Sequence, residues 1–180
     1  MRTITNTARA ASVILSLLLA GPLTAQTPEA RPADVASVDA ILQALYDVIS
    51  GPAGQTRDWN RFRSLFLPDG RLISTGRTPA GEARYRVMTP DEYATGSATF
   101  LEASGFMERE IARRLESFGN IAQAFSTYES HYTQENQARH ARGINSIQLY
   151  NDGKRWFVVT VFWDSERPDQ PIPAKYLSGG

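Results

Sequence analysis

The side chains able to do chemistry in this 180-residue chain are carboxylates, tyrosines and arginines, because it has no cysteine and only two histidines, His131 and His140. Without thiols there is no disulfide, thiolate metal site or cysteine nucleophile, and two histidines argue against a histidine-rich metal centre. No metal and no cofactor is expected. The chain lacks G-x-S-x-G, a P-loop, a G-x-G-x-x-G after a strand, H-E-x-x-H and an EF-hand loop. What remains is hydrogen bonding and proton transfer. Tyr46 and Tyr128 carry hydroxyls that need partners once buried. Arg113, Ser126, Asn145 and Thr160 are polar groups on faces that otherwise read as apolar. Asp164 and Tyr128 are the candidate catalytic pair, a carboxylate to move a proton and a hydroxyl to stabilise an oxyanion. Trp59 and Phe62 are candidate aromatic walls, although with Phe66 their helical spacing reads first as core.

Charge and leader bound the context. The chain holds 19 basic and 19 acidic residues. Residues 1–25 begin with Arg2 and Arg9, continue through an uncharged apolar run at 10–20, and end at Gly-Pro-Leu-Thr-Ala. This is the grammar of a secretory signal peptide cleaved near Ala25, and the run is too short for a membrane span. Removing it leaves 17 basic against 19 acidic residues, a net of −2, which argues against a nucleic-acid partner. The expectation is a periplasmic or secreted protein with no membrane contact after cleavage. Its parts are a flexible tail at 26–33, one domain at 34–166 and a C-terminal surface tail at 167–180.

The patterning supplies the elements. Val35, Val38, Ile41, Leu42, Leu45, Val48 and Ile49 keep a 3.6-residue period, predicting a helix over 35–50 capped by Asp34 and stopped by Gly51-Pro52. Asp58 caps a second helix. Strands follow at 71–74 and 84–88. Thr89-Pro90-Asp91-Glu92 opens a helix that places Tyr93, Phe100 and Leu101 on one face and ends at Gly105. The remainder reads as strands at 108–118, 121–132, 142–150 and 155–164, with hairpin turns at Gly119-Asn120 and Asp152-Gly153. Helices first and a meander last predict an α+β fold: N-terminal helices packed on a strongly curved antiparallel sheet that forms a cone with an apolar pocket.

Register assigns the faces. A two-residue turn at Asp152-Gly153 puts Leu149, Trp156, Ile147, Val158, Asn145, Thr160, Gly143 and Phe162 inward. Asn145 and Thr160 then form a polar pair in an apolar floor. The other face carries Phe157, Val159, Val161 and Trp163, too apolar for solvent, so the C-terminal tail or a second subunit covers it; a homodimer through the outer sheet face is expected. At Gly119-Asn120 the same exercise points Arg113, Ser126 and Tyr128 inward. Glu108 and Glu110 point outward, with Glu110 opposite Glu129. That like-charge pair calls for a register slip, relief by Arg114 or His131, or joint titration.

The order of these features resembles the nuclear transport factor 2-like superfamily, also called SnoaL-like or the cystatin-like α+β cone. The carrying residues are Trp59 and Phe62, then Leu65-Phe66-Leu67-Pro68-Asp69-Gly70-Arg71-Leu72, the turn Gly119-Asn120-Ile121-Ala122, and Gly153-Lys154-Arg155-Trp156-Phe157-Val158. The resemblance spans roughly residues 35–166. It implies a cone whose mouth opens on an apolar pocket, and it covers isomerases, dehydratases, cyclases and binding proteins alike. The isomerase branch's general base would fall near Ser74, which cannot serve, and neither histidine fits the dehydratase pattern. The expected function is therefore binding of a small apolar or aromatic molecule through Tyr46, Trp59, Phe62, Arg113, Ser126, Tyr128, Asn145 and Thr160. The alternatives are a metal-independent isomerase, dehydratase or cyclase acting by proton transfer, and a dimeric accessory module that docks a protein.

Overall fold

The structure, a computed structural model, describes residues 28–178. The expected signal peptide lies outside the described residues. Among the described residues no helix is long and apolar enough to cross a membrane.

The first helical stretch is two pieces, α1 (Pro32–Val35) and α2 (Val38–Ile49). Ser37 causes the break: its Oγ accepts from the Ala40 N–H at 3.1 Å and caps α2. Asp34, expected as the cap, instead takes the Arg61 guanidinium at 2.8 and 2.9 Å, and that partner holds its carboxyl below the usual range. Ala30 is already buried, so order begins before the predicted boundary at residue 34. Asp58 does cap α3 (Trp59–Ser64), accepting from the Arg61 N–H at 2.9 Å. In α4 (Pro90–Ser104), Thr89 and Glu92 form a reciprocal capping box, and Gly105 ends the helix with φ 64°.

Six strands follow the order β2-β1-β6-β5-β4-β3: β1 (Phe66–Arg77), β2 (Ala83–Met88), β3 (Met107–Phe118), β4 (Ile121–Gln134), β5 (Gln137–Asn151) and β6 (Trp156–Ser165). The sheet is curved and unclosed. It is not wholly antiparallel, because β1 and β6 run parallel. The helix α4 carries the chain between the two edge strands, so β3 starts in the direction of β2 and three hairpins later β6 runs with β1. The segment expected to be a connection at 132–141 is the end of a long hairpin. Its turn, Glu135-Asn136, has φ of 52° and 58°, a left-handed pair without the glycine that usually announces one.

The core lies between α2 and the concave face. Ile41, Leu42 and Leu45 meet Ala124, Ile147, Leu149 and Val158, and Leu149 and Val158 are 1% and 0% exposed. On the convex face the chain's own tail provides part of the cover. Thr127 Oγ1 donates to the Tyr176 carbonyl at 2.6 Å, and the Tyr176 ring sits 5.0 Å from Phe125.

Two single-residue bulges change which side chains look into the cone. Between Glu110 and Ala112 the β3–β4 register slips at Ile111. Residues on either side of a bulge swap faces. Beyond it Arg113 pairs with Ser126 as expected, but Glu110 pairs with Tyr128 and Glu108 with Ser130, so both carboxylates turn inward. The predicted Glu110–Glu129 opposition disappears; Glu129 faces Arg109. In β6 the second bulge skips Val159. The turn after Asn151 is also two residues longer than predicted, since Asn151 pairs with Trp156. Trp156, Val158, Leu149, Ile147 and Asn145 face inward as expected. Thr160 and Phe162 do not, and Asp164 shares their outward side: Val161 and Trp163 face inward, with Trp163 opposite Asn145.

Candidate functional site

The cone encloses a pocket of about 370 Å³ between α2, α4 and the sheet. Its walls are apolar: Leu45, Ile49, Phe62, Phe100, Phe106 and Trp163. Polar groups are interspersed with them, Tyr46, Tyr93, Glu108, Tyr128 and Asn145 among them. A hollow of that size with mostly apolar walls and a handful of convergent polar groups is the usual form of a small-molecule site.

The polar end is wired by one directed chain. Ser126 Oγ donates to a Glu110 carboxylate oxygen. Its only proton is then spent, so in the 2.7 Å contact between Tyr46 and Ser126 the tyrosine hydroxyl donates. Tyr46 in turn accepts from Asn145 Nδ2 at 3.0 Å. A buried amide, phenol and hydroxyl are thereby satisfied and fixed in direction. Burial raises the Tyr46 and Tyr93 hydroxyls above their ordinary range, so both stay protonated donors.

Glu108 is the exceptional group. Burial among these side chains pushes its carboxyl up to about 8, and the Asn145 amide offsets only part of that cost. Its charge, when present, adds to the rise of the Tyr46, Tyr93 and Tyr128 hydroxyls. Ser50 at the end of α2 fixes its backbone: Ser50 Oγ accepts from the Glu108 N–H at 2.8 Å and donates toward the Tyr46 and Glu108 carbonyls. Behind them Arg57, 4% exposed, donates to the carbonyls of Ile49 at 3.0 Å, Gly51 at 2.7 Å, Gln55 at 2.6 Å and Leu101 at 2.9 Å. This one guanidinium joins the ends of α2 and α4, the two helical walls.

Tyr128 lies across the floor because Gly143 opposes it. A Cβ on Gly143 would stand 2.4 Å from the Tyr128 hydroxyl oxygen and 2.5 Å from the Asp164 carbonyl. The hydroxyl reaches Ser165 Oγ at 3.2 Å, and burial pushes it up to about 12. Gly143→Ala is therefore expected to cost about 2 kcal/mol from overpacking. A Gly143→Ala/Tyr128→Leu double variant should recover part of that loss in urea melts; an unchanged loss would place the strain elsewhere.

Of the residues expected from sequence, Tyr46, Phe62, Tyr128 and Asn145 line the pocket. Ser126 lies directly behind Tyr46. Trp59 stands outside, edge-on to Phe62 at 5.6 Å with its Nε1 toward Glu102. Arg113 sits at a neighbouring depression between α2 and β3 that shares Tyr46 and Glu108 with the pocket, and pairs with Asp39. Thr160 faces the convex side opposite Gln148, turned there by the Val159 bulge. The same bulge puts Asp164 outside the cone. Arg167 binds both its oxygens at 2.6 and 3.1 Å and holds its carboxyl below the usual range, so it braces the tail and does not act in the pocket. Sequence reasoning missed Glu108, Phe106, Tyr132 and Trp163. Tyr93 and Phe100 share one helix face in the sequence pattern, which is the signal that finds them.

A larger hollow of about 960 Å³ lies on the convex face, bordered by the tail at Pro171–Pro173 and by Tyr85, Val87 and Phe162, which are 77%, 49% and 46% exposed. It gathers no comparable set of buried polar groups.

Solved structures show the same architecture. A protein of unknown function from Mycobacterium tuberculosis is similar at TM-score 0.56 and 14% identity, covering 78% of this chain and 80% of that one. A protein with a cystatin-like fold from Caulobacter vibrioides gives 0.53 at 18% identity over 74% and 90%. A nuclear transport factor 2-like superfamily protein from Salmonella enterica gives 0.51 at 16% identity over 76% and 87%. No protein-family model matches the chain, and no curated protein matches it. The chain has the nuclear transport factor 2-like, cystatin-like α+β cone fold that its motifs implied.

Proposed function

We propose that this chain is an exported binding protein that takes a small apolar or aromatic molecule into the cone, with one uncharged oxygen-bearing end held by Glu108, Asn145 and the tyrosine hydroxyls. The observation that carries this reading is a 370 Å³ pocket whose lining joins apolar and aromatic walls to the hydrogen-bonding groups of Tyr46, Glu108 and Asn145. The raised Glu108 carboxyl stays largely protonated at neutral pH, so it supplies a donor to a ligand carbonyl or hydroxyl. The leader at residues 1–25 supports export.

The test is native mass spectrometry and thermal shift on the purified chain with a panel of aromatic and aliphatic ketones, alcohols and acids. We expect stabilisation by uncharged members, fading as pH rises through about 8 and Glu108 ionises. A flat panel with no co-purifying molecule would overturn the reading.

A second reading is favoured by the same carboxyl. A glutamate raised to about 8 beside Tyr128 and Asn145 is poised to move a proton, as an isomerase or dehydratase requires, and it takes the role that sequence gave to Asp164. Turnover of a panel member, lost in Glu108→Gln with folding intact, would favour catalysis over binding. As to partners, the exposed Tyr85, Val87 and Phe162 on the convex face make that surface our candidate for pairing two copies. A solution mass of one chain by light scattering at micromolar concentration would exclude it.

A further inference from the structure

The long β4–β5 hairpin, which the sequence did not announce, sets His131 directly opposite His140. Their rings stack with centroids 4.6 Å apart and planes 26° apart. Two positions before His131, on the same face of β4, Glu129 brings its carboxylate to both: Oε1 is 4.0 Å from His131 Nε2 and Oε2 is 3.5 Å from His140 Nε2. One donor atom from each of the three residues lies within 4.8 Å of the others.

The geometry points to a surface site for a divalent late first-row metal, Zn²⁺ above all, held by His131, His140 and Glu129 with the remaining positions open to water. Two imidazoles and one carboxylate are a borderline-soft donor set that suits Zn²⁺ and neighbouring ions and disfavours Ca²⁺ or Mg²⁺. Zn–N and Zn–O bonds of about 2.0–2.1 Å put tetrahedral donors about 3.4 Å apart. The Glu129 contacts at 3.5 and 4.0 Å are near what a bound ion needs, and one of the two exposed rings must turn out of the stack to aim its nitrogen at the same ion. Histidines opposed on paired strands keep their backbone spacing through the ladder, so binding has only to reorient side chains.

The charges nearby permit this. Arg142, opposite Glu129 across the strands, is already engaged by Glu166 at 2.8 and 3.1 Å. Arg109 pairs with Glu129 at 2.5 Å, but its side chain is 73% exposed, so the pair is weak and the guanidinium can swing into water. The site also bears on the pocket. Ser130, Tyr132 and Ala141, beside the two histidines in sequence, point to the opposite face and line the cone. An ion there would clamp the strands that carry those residues.

The full chain, freed of any affinity tag and stripped with a chelator, is titrated with ZnCl₂ by calorimetry and by thermal melts. We expect one Zn²⁺ per chain, a melting temperature that climbs with zinc, and affinity at least about tenfold weaker in His131→Ala and in His140→Ala. Arg109→Ala should bind more tightly than the parent, a gain that misfolding could not produce. Absence of binding by the parent, or binding undiminished in the double histidine variant, would overturn the site.

Discussion

Arg57→Ala should lose more stability than any other single truncation at the helical end of the cone, about 3–5 kcal/mol in urea or thermal melts. The side chain is buried and charged, and its nitrogens serve carbonyls from Ile49, Gly51, Gln55 and Leu101. Removing it strands those acceptors where water reaches them poorly and leaves a void between α2 and α4. Burial lowers the Arg57 pKa, yet an arginine stays charged at any working pH, so the loss should be independent of pH between about 5 and 9. Arg57→Lys should recover little, because one ammonium cannot reach four diverging carbonyls. Gly51 must stay small for the same reason: a Cβ there would stand 2.7 Å from Arg57 Nη1. A loss under about 1 kcal/mol would show that water or neighbouring loops take over its role.

The second large effect is a pH dependence with the sign opposite to that of most carboxylates. In the unfolded chain Glu108 titrates near 4.5, and in the folded chain it is pushed up to about 8. Between those values the folded state keeps a proton that the unfolded state releases. Stability therefore falls as pH rises through that window and levels off above it. A shift realised in full would amount to about 5 kcal/mol; water entering the pocket reduces this, and we expect about 1–3 kcal/mol. Glu108→Gln keeps the shape and a donor but cannot ionise. It should match the parent near about pH 4.5 and exceed it by that amount at about pH 9. A stability difference that does not change with pH would mean that the Glu108 carboxyl is solvated.

Most of the scaffold was legible in the sequence because its signals are local. The Thr89-Pro90-Asp91-Glu92 start, the Gly105 stop and the Asp58 cap each act within one helical turn, and each formed as read. The inward set Leu149, Ile147 and Asn145 on β5 followed from simple alternation. The side chains that face the wrong way on β3 and β6 share one cause. A bulge needs no special residue: Ile111 and Val159 are ordinary strand formers, yet each inverts the alternation beyond it. Val159 exchanged Thr160 and Phe162 for Val161 and Trp163, and Ile111 exchanged an outward Glu108 for an inward one. The candidate site therefore kept the tyrosines and Asn145 that sequence supplied, but its carboxyl, Glu108, was invisible. The Glu135-Asn136 turn escaped for a related reason, since neither residue is glycine, and with it went the His131–His140 pair.

The most direct test of the pocket is a carboxyl titration by carbon NMR on selectively labelled glutamate, with Glu108 assigned by its loss in Glu108→Gln. A midpoint near 8 is the predicted result. A midpoint between about 4 and 5 would contradict it, because a glutamate titrating there is facing water and not the interior of the cone.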